Sequence, residues 1–284
     1  MPHEFRHAIC NEIFQGWPFH EACKKIRQTG YTGIEIAPFT LSEQPRSLTI
    51  EQRRQYRSIM QSEGLQFVGL HWLMVAPKGL HVTTPDDTLR RKSWDHIRDL
   101  IDLCADLAGT ESGPNGIMVF GSPAQRNAVE GQSPADAFAR FRDGFADVAT
   151  HAMQQRVTLL VEALPKAQSN VCNTLAEAAE IVRYVNSPAV RTMFDTHNAA
   201  DETAPHAQVV EDYFTLIRHV HVNEMDGKHC GQGDYAFGPV LDTLRRLDYG
   251  GWVSLEAFDF SFGAERIAAE SKAHLDAVIA ELAA

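Results

Sequence analysis

The sequence is poor in positive charge, in paired cysteines and in long apolar runs, and each shortage excludes a class of function. Only 26 lysines and arginines stand against 37 aspartates and glutamates, a net charge of -11, and no block of basic residues occurs. Nucleic-acid binding relies on Lys and Arg neutralising phosphates, so no nucleic-acid partner is expected. The five cysteines, Cys10, Cys23, Cys104, Cys172 and Cys230, are scattered without a C-x-x-C pair. An odd, dispersed set fits reduced thiols in a cytoplasmic protein and not a disulfide framework or a zinc ribbon. No segment approaches about 18 uninterrupted apolar residues, so no membrane span is expected. The start, MPHEFRHAIC, lacks the charged region and apolar run of a signal peptide. No early strand is followed by G-x-G-x-x-G, which argues against a doubly wound dinucleotide-binding sheet.

What the 284 residues do contain is alternation between short apolar runs and longer amphipathic stretches. The strand candidates are HAICNEIF (7–14), TGIEIA (32–37), LQFVGLH (65–71), GIMVFG (116–121), VTLLVEA (157–163), RTMFD (191–195), HVHVN (219–223) and WVSLEAF (252–258). They are short and rich in β-branched or aromatic residues, as buried parallel strands are. Helix starts lie between them: Thr84 before Pro85, Ser133 before Pro134, and the capping box of Thr174 and Glu177. After the last of these, Leu175, Ala179 and Val182 share one helix face. The glycines of LDYGGW (247–252) read as a helix end before the final strand. Eight strand–helix units without a linker predict a single α/β domain over 1–284, a (β/α)8 TIM barrel. Two long polar loops, 72–84 and 224–238, are expected on its catalytic face.

A barrel concentrates chemistry at the C-terminal ends of its strands. Strand five ends in Glu162, strand six in Asp195 and strand eight in Glu256, while strand seven carries His221. One strand-end carboxylate has an ordinary explanation as a helix cap or a salt-bridge partner. Four such groups on four consecutive strands would be costly to bury unless paired or metal-bound. Three carboxylates and an imidazole form a hard, oxygen-rich donor set suited to Mn²⁺, Mg²⁺ or Co²⁺ more than to a closed structural zinc. His221 therefore reads as a metal ligand. His219, on the same strand face, reads as a group behind the ligands or as a packed core histidine. Glu35 on strand two faces the same way, with no role evident. His197 and Asn198, just past Asp195, fit either a substrate hydroxyl or a turn. His71 and Trp72 after strand three, and Trp17 after strand one, fit a sugar-binding surface or core aromatics.

At these residues the sequence resembles the xylose-isomerase-like TIM barrels of the sugar phosphate isomerase/epimerase group, nearest to the ketose 3-epimerases. LLVEALPKAQSNVCNT, FDTHN, HVHVNEMDGKH and WVSLEAF are similar to the family's four metal-ligand segments. The resemblance implies that Glu162, Asp195, His221 and Glu256 hold one divalent ion, Mn²⁺ foremost, with Mg²⁺, Co²⁺ or Zn²⁺ as alternatives. It also implies that Glu162 and Glu256 exchange a proton with a keto-sugar through a metal-bound enediolate, and that the chain forms a dimer or tetramer. The parts that read the sugar depart from the family pattern. The family's glutamate six residues after the first metal glutamate is here Gln168. Its arginine falls on Gly227, next to Lys228, and its histidine after the aspartate is displaced to His197.

The expected activity is thus a metal-dependent isomerase or epimerase acting on a small-molecule carbohydrate, a keto-sugar or related polyol derivative. Its substrate contacts would come from His197, Gln168, His71, Trp72, Lys228 and Trp17. A lyase acting on 3-keto-glycosides, of the C- or O-deglycosylation type, would use the same site. An endonuclease-IV-like DNA-repair enzyme would need extra histidines and a basic surface, and a dead binding protein would have no need of both glutamates. GKHCGQGD (227–234) is at most a weak phosphate loop.

Overall fold

The computed structural model describes residues 3–109 and 116–283. Residues 1–2, 110–115 and 284 of the expected domain lie outside the described part. Eight parallel strands close on themselves in sequence order: β1 (Arg6–Cys10), β2 (Gly33–Ile36), β3 (Gln66–Leu70), β4 (Ile117–Phe120), β5 (Thr158–Val161), β6 (Val190–Asp195), β7 (Ile217–Val222) and β8 (Trp252–Leu255). The seam joins β1 to β8, with Arg6 opposite Trp252 and Ile9 opposite Leu255.

Nine helices among the described residues surround the strands: α1 (Phe19–Thr29), α2 (Ile50–Ser62), α3 (Asp87–Ala108), α4 (Pro123–Arg126), α5 (Pro134–Gln154), α6 (Leu175–Val185), α7 (His206–Tyr213), α8 (Phe237–Arg246) and α9 (Ala264–Ala283). Each long helix turns an apolar stripe to the sheet, as Ile97, Leu100, Ile101 and Cys104 do on α3. The main core lies between strands and helices. A second, small apolar cluster of Val119, Leu160 and Met193 is separate from it. These three sit two residues before Gly121, Glu162 and Asp195 on the same strand faces. Alternation therefore puts an apolar layer under that part of the rim.

Several boundaries differ from the sequence expectation for physical reasons. The first strand stops at Cys10, and Asn11–Phe14 winds into a 3-10 turn that carries Glu12 inward. Asp86, not Thr84, caps α3: its carboxylate accepts from the amides of Thr88 and Leu89, and an ionised acceptor suits a helix N-terminus better than a hydroxyl. The helix before β8 ends at Arg246, and Asp248 (φ 52°) makes the left-handed turn that Gly250 and Gly251 were expected to make. Ser133 caps α5 as expected, and Thr174 and Glu177 form the capping box of α6. Both long loops follow strand ends, after β3 and after β7.

Candidate active site and metal centre

Glu162, Asp195, His221 and Glu256 come together at the C-terminal rim, each offering one donor atom within 4.8 Å of the others. Their order along the chain follows the order of β5 to β8, so neighbouring strands deliver neighbouring donors. All four are buried. His221 Nδ1 lies 3.0 Å from Glu256 Oε2 and 3.5 Å from Asp195 Oδ2.

Each glutamate accepts a hydrogen bond from a residue outside the cluster. The side-chain amide of Asn198 donates to Glu162 Oε1 at 2.8 Å, and the indole N–H of Trp72 donates to Glu256 Oε1 at 2.7 Å. Glu162 Oε2 faces Gly121, where a Cβ would overlap it. The backbone amide of Asn198 donates to Asp195 Oδ1 at 2.9 Å, whereas Asp195 Oδ2 is buried without a hydrogen-bond partner. Buried Arg126 holds the β5 end from below. Its guanidinium donates to the carbonyls of Glu162 (2.7 Å) and Cys172 (2.9 Å).

The electrostatics show what this group lacks. Burial, with Glu256 and Asp195 alongside, pushes the Glu162 carboxyl up to about 8. Burial also raises Glu256, with His221 partly offsetting it. Burial works against charge on His221 as well, but Glu35 and Glu256 outweigh it and hold the imidazole well above its usual value. Crowded carboxylates and an orphaned oxygen on Asp195 fit a bound cation, which relieves both. The cluster is suited to a divalent metal ion.

A polar group of residues lies behind His221. Glu35 Oε2 is 2.8 Å from His219 Nε2, and both Glu35 oxygens lie 3.1 and 3.2 Å from His221 Nε2. Burial opposes charge on Glu35, yet His219 and His221 outweigh it and keep its carboxyl well below the usual range. His71 Nε2 lies 2.6 Å from Glu12 Oε2. Cys10 is 3.9 Å from His221 Nε2. His219 is thus a hydrogen-bonded buried residue behind the rim and contacts no solvent.

A cavity of about 520 Å³ opens onto Glu162 and Glu256, lined by Trp72, Lys78, Gln168, His197 and Phe258 among others. Trp72 is nearly parallel to both Phe39 and Phe258, with centroids 6.1 Å from each. Trp72 and Ser122, each two residues past a strand end, hold left-handed backbones (φ 49° and 52°). Non-glycine residues adopt that region at a cost and cluster at functional sites.

The other sequence-derived site residues divide. Gln168 and His197 line the cavity and contact each other at 3.1 Å. Asn198 is committed to Glu162. His71 is buried behind the rim with Glu12. Lys228 is half-buried and paired with Asp226 at 2.6 Å, and Asp226, not Lys228, lines the cavity. Trp17 is half-exposed against Phe14 and is not among the lining residues. Sequence reasoning missed Glu12, Gly121 and Arg126. Glu12 was hidden inside an expected strand, and nothing local marks Arg126 as a buried cation.

Residues 23–278 match the family described as xylose isomerase-like TIM barrel, and the chain belongs to that family. It is similar to a probable ketose 3-epimerase of Synechocystis sp., 24% identical over 82% of this chain and 76% of that one. It is also similar to a putative hydroxypyruvate isomerase of Streptomyces coelicolor, 25% identical over 86% of this chain and 87% of that one. Among solved structures, a D-psicose 3-epimerase in the presence of D-fructose superposes with a TM-score of 0.83 at 18% identity, covering 99% of this chain and all of the other. The latter likeness is one of fold. No helix among the described residues is long and apolar enough to cross a membrane.

Proposed function

We propose that this protein is a metal-dependent isomerase or epimerase of keto-sugars or related polyol derivatives, with Glu162 and Glu256 as its acid–base pair. The observation that carries the reading is that two buried carboxylates, Glu162 from the end of β5 and Glu256 from the end of β8, both belong to the four-donor cluster and both line the cavity. Similarity to ketose 3-epimerases and to a hydroxypyruvate isomerase supports the same class of chemistry.

Glu162, Asp195, His221 and Glu256 would hold the ion. Their three carboxylates and one imidazole favour Mn²⁺, with Mg²⁺, Co²⁺ or Zn²⁺ as alternatives. When bound, a divalent cation supplies positive charge that stabilises negative charge developing on substrate oxygen. The remaining work falls to the chain. One glutamate removes the proton from the carbon beside the carbonyl, and the other delivers a proton to the resulting enediolate. Asn198, bonded to Glu162 Oε1, and Trp72, bonded to Glu256 Oε1, fix the orientation of the two carboxylates. Trp72, Val75, Leu164 and Phe258 line the cavity with apolar surface that limits water around the reacting carbon. Gln168 and His197 are placed to hydrogen-bond sugar hydroxyls.

The test is proton NMR in D₂O with Mg²⁺-exchanged protein and a panel of ketoses. Loss of the signal beside the carbonyl supports proton abstraction, and Glu256→Gln should retain some metal yet abolish that loss. Full activity in Glu256→Gln would sink the two-base reading. One feature favours a second reading, lyase action on a 3-keto-glycoside: the aromatic wall of Trp72 and Phe258 flanks space for an apolar leaving group. Wash-out absent from every ketose but present with a 3-keto-glycoside would select it.

A further inference from the structure

Glu35 is a carboxylate sealed inside the barrel, and the proposed proton transfer makes no use of it. It belongs to β2 yet reaches across the interior to two histidines of β7. Burying a carboxylate is costly, so its partners define its purpose.

His221 presents its two ring nitrogens to different surroundings. Nδ1 faces Asp195 and Glu256, the other donors of the cluster. Nε2 faces Glu35, with Cys10 farther away at 3.9 Å. An imidazole that ligates a cation must offer a lone pair on one nitrogen and carry its hydrogen on the other. Within the cluster of Glu162, Asp195, His221 and Glu256 the nitrogen that faces the other donors is Nδ1, so the hydrogen belongs on Nε2. Both Glu35 oxygens lie within hydrogen-bond distance of that atom. His219 contacts Glu35 Oε2 from the same strand, which limits how the carboxylate can turn.

We propose that Glu35 is the positioning residue of the metal centre: it fixes His221 as the Nε2–H tautomer, with Nδ1 open to the ion, and His219 anchors Glu35 for that task. The inference rests on the reading of Glu162, Asp195, His221 and Glu256 as metal ligands.

The first measurement is calorimetric titration of Mn²⁺ into metal-stripped protein. Loss of a residue that orients a ligand histidine typically costs 10–100-fold in metal affinity. Glu35→Leu should therefore bind Mn²⁺ roughly 10–100-fold more weakly than wild type. Glu35→Gln keeps an acceptor oxygen and should recover part of that loss. A folded Glu35→Leu protein with wild-type affinity overturns the proposal. The second measurement needs no variant at position 35. Long-range proton–nitrogen NMR on Mg²⁺-loaded wild type, with the ring assigned by its loss in His221→Asn, reports the tautomer directly. Nε2–H supports the proposal and Nδ1–H overturns it. Failure of the underlying reading looks different: wild type itself takes up neither Mn²⁺ nor Mg²⁺, or His221→Asn binds them as wild type does.

Discussion

The indole N–H of Trp72 donates a 2.7 Å hydrogen bond to Oε1 of Glu256, while Oε2 of the same carboxylate faces His221. An aromatic residue just past the end of β3, read from sequence as a sugar-binding surface or a core aromatic, thus has a polar task in the structure. Its ring stacks nearly parallel with those of Phe39 and Phe258.

Trp72→Phe separates the two tasks, because the stack survives and only the donor disappears. A hydrogen bond to a charged group contributes about 1.5–3 kcal/mol, so kcat should fall roughly 10–100-fold with KM little changed. Steady-state kinetics of the variant decide the matter. A raised KM at unchanged kcat would return Trp72 to substrate stacking.

Gly121→Ala tests the opposite side of the cluster. The added methyl overlaps Glu162 Oε2 and must displace that carboxylate. Activity and Mn²⁺ affinity should both drop by about tenfold or more, with a smaller change in thermal stability. Calorimetry with Mn²⁺ and a melting curve on the same preparation measure the two effects separately.

Removing the ion should destabilise the fold. At a free concentration one hundred times Kd, a bound ligand contributes about 2.7 kcal/mol, and a chain of this size then melts on the order of 5 °C higher. Chelation should lower Tm by that amount, and Mn²⁺ should restore it. In Asp195→Asn the response should shrink, as a carboxylate donor is lost.

The pH dependence has a source far from the rim. Burial, with Lys272 nearby, lowers the His7 pKa from 6.5 to about 4, against a smaller opposing pull from Asp276. The unfolded chain therefore binds a proton that the folded chain refuses between those values. Stability is full above about pH 6.5 and declines as pH falls toward 4, by up to about 3 kcal/mol from this residue. His7→Gln should flatten the fall of Tm over that window. His96 and His206 shift in the same direction, so some slope remains.

The barrel was legible in the sequence because each strand is a short β-branched run followed by an amphipathic helix. The four clustered groups were legible because three carboxylates end such runs and His221 lies one residue before the end of another. Glu35 faced the interior by alternation, but its partners lie 184 and 186 residues away in the chain, across a barrel whose register no local pattern encodes. Asn198 looked like a turn-former or a sugar contact, and only the packing of β5 against β6 shows it committed to Glu162. Lys228 stood beside the family's arginine position, yet its neighbour Asp226 captures it at the surface. Side chains on loops are placed by pairings that spacing does not carry.

The seam between β1 and β8 has a consequence for biosynthesis. The donors occupy positions 162 to 256, whereas Glu35 and Trp72, which contact two of them, precede β4. Glu256 follows the last strand, so a growing chain has neither a closed barrel nor a complete donor set until its final segment is made. Long-range closure of this kind comes late in folding. A cation held by all four groups would therefore bind a closed barrel and not seed its formation.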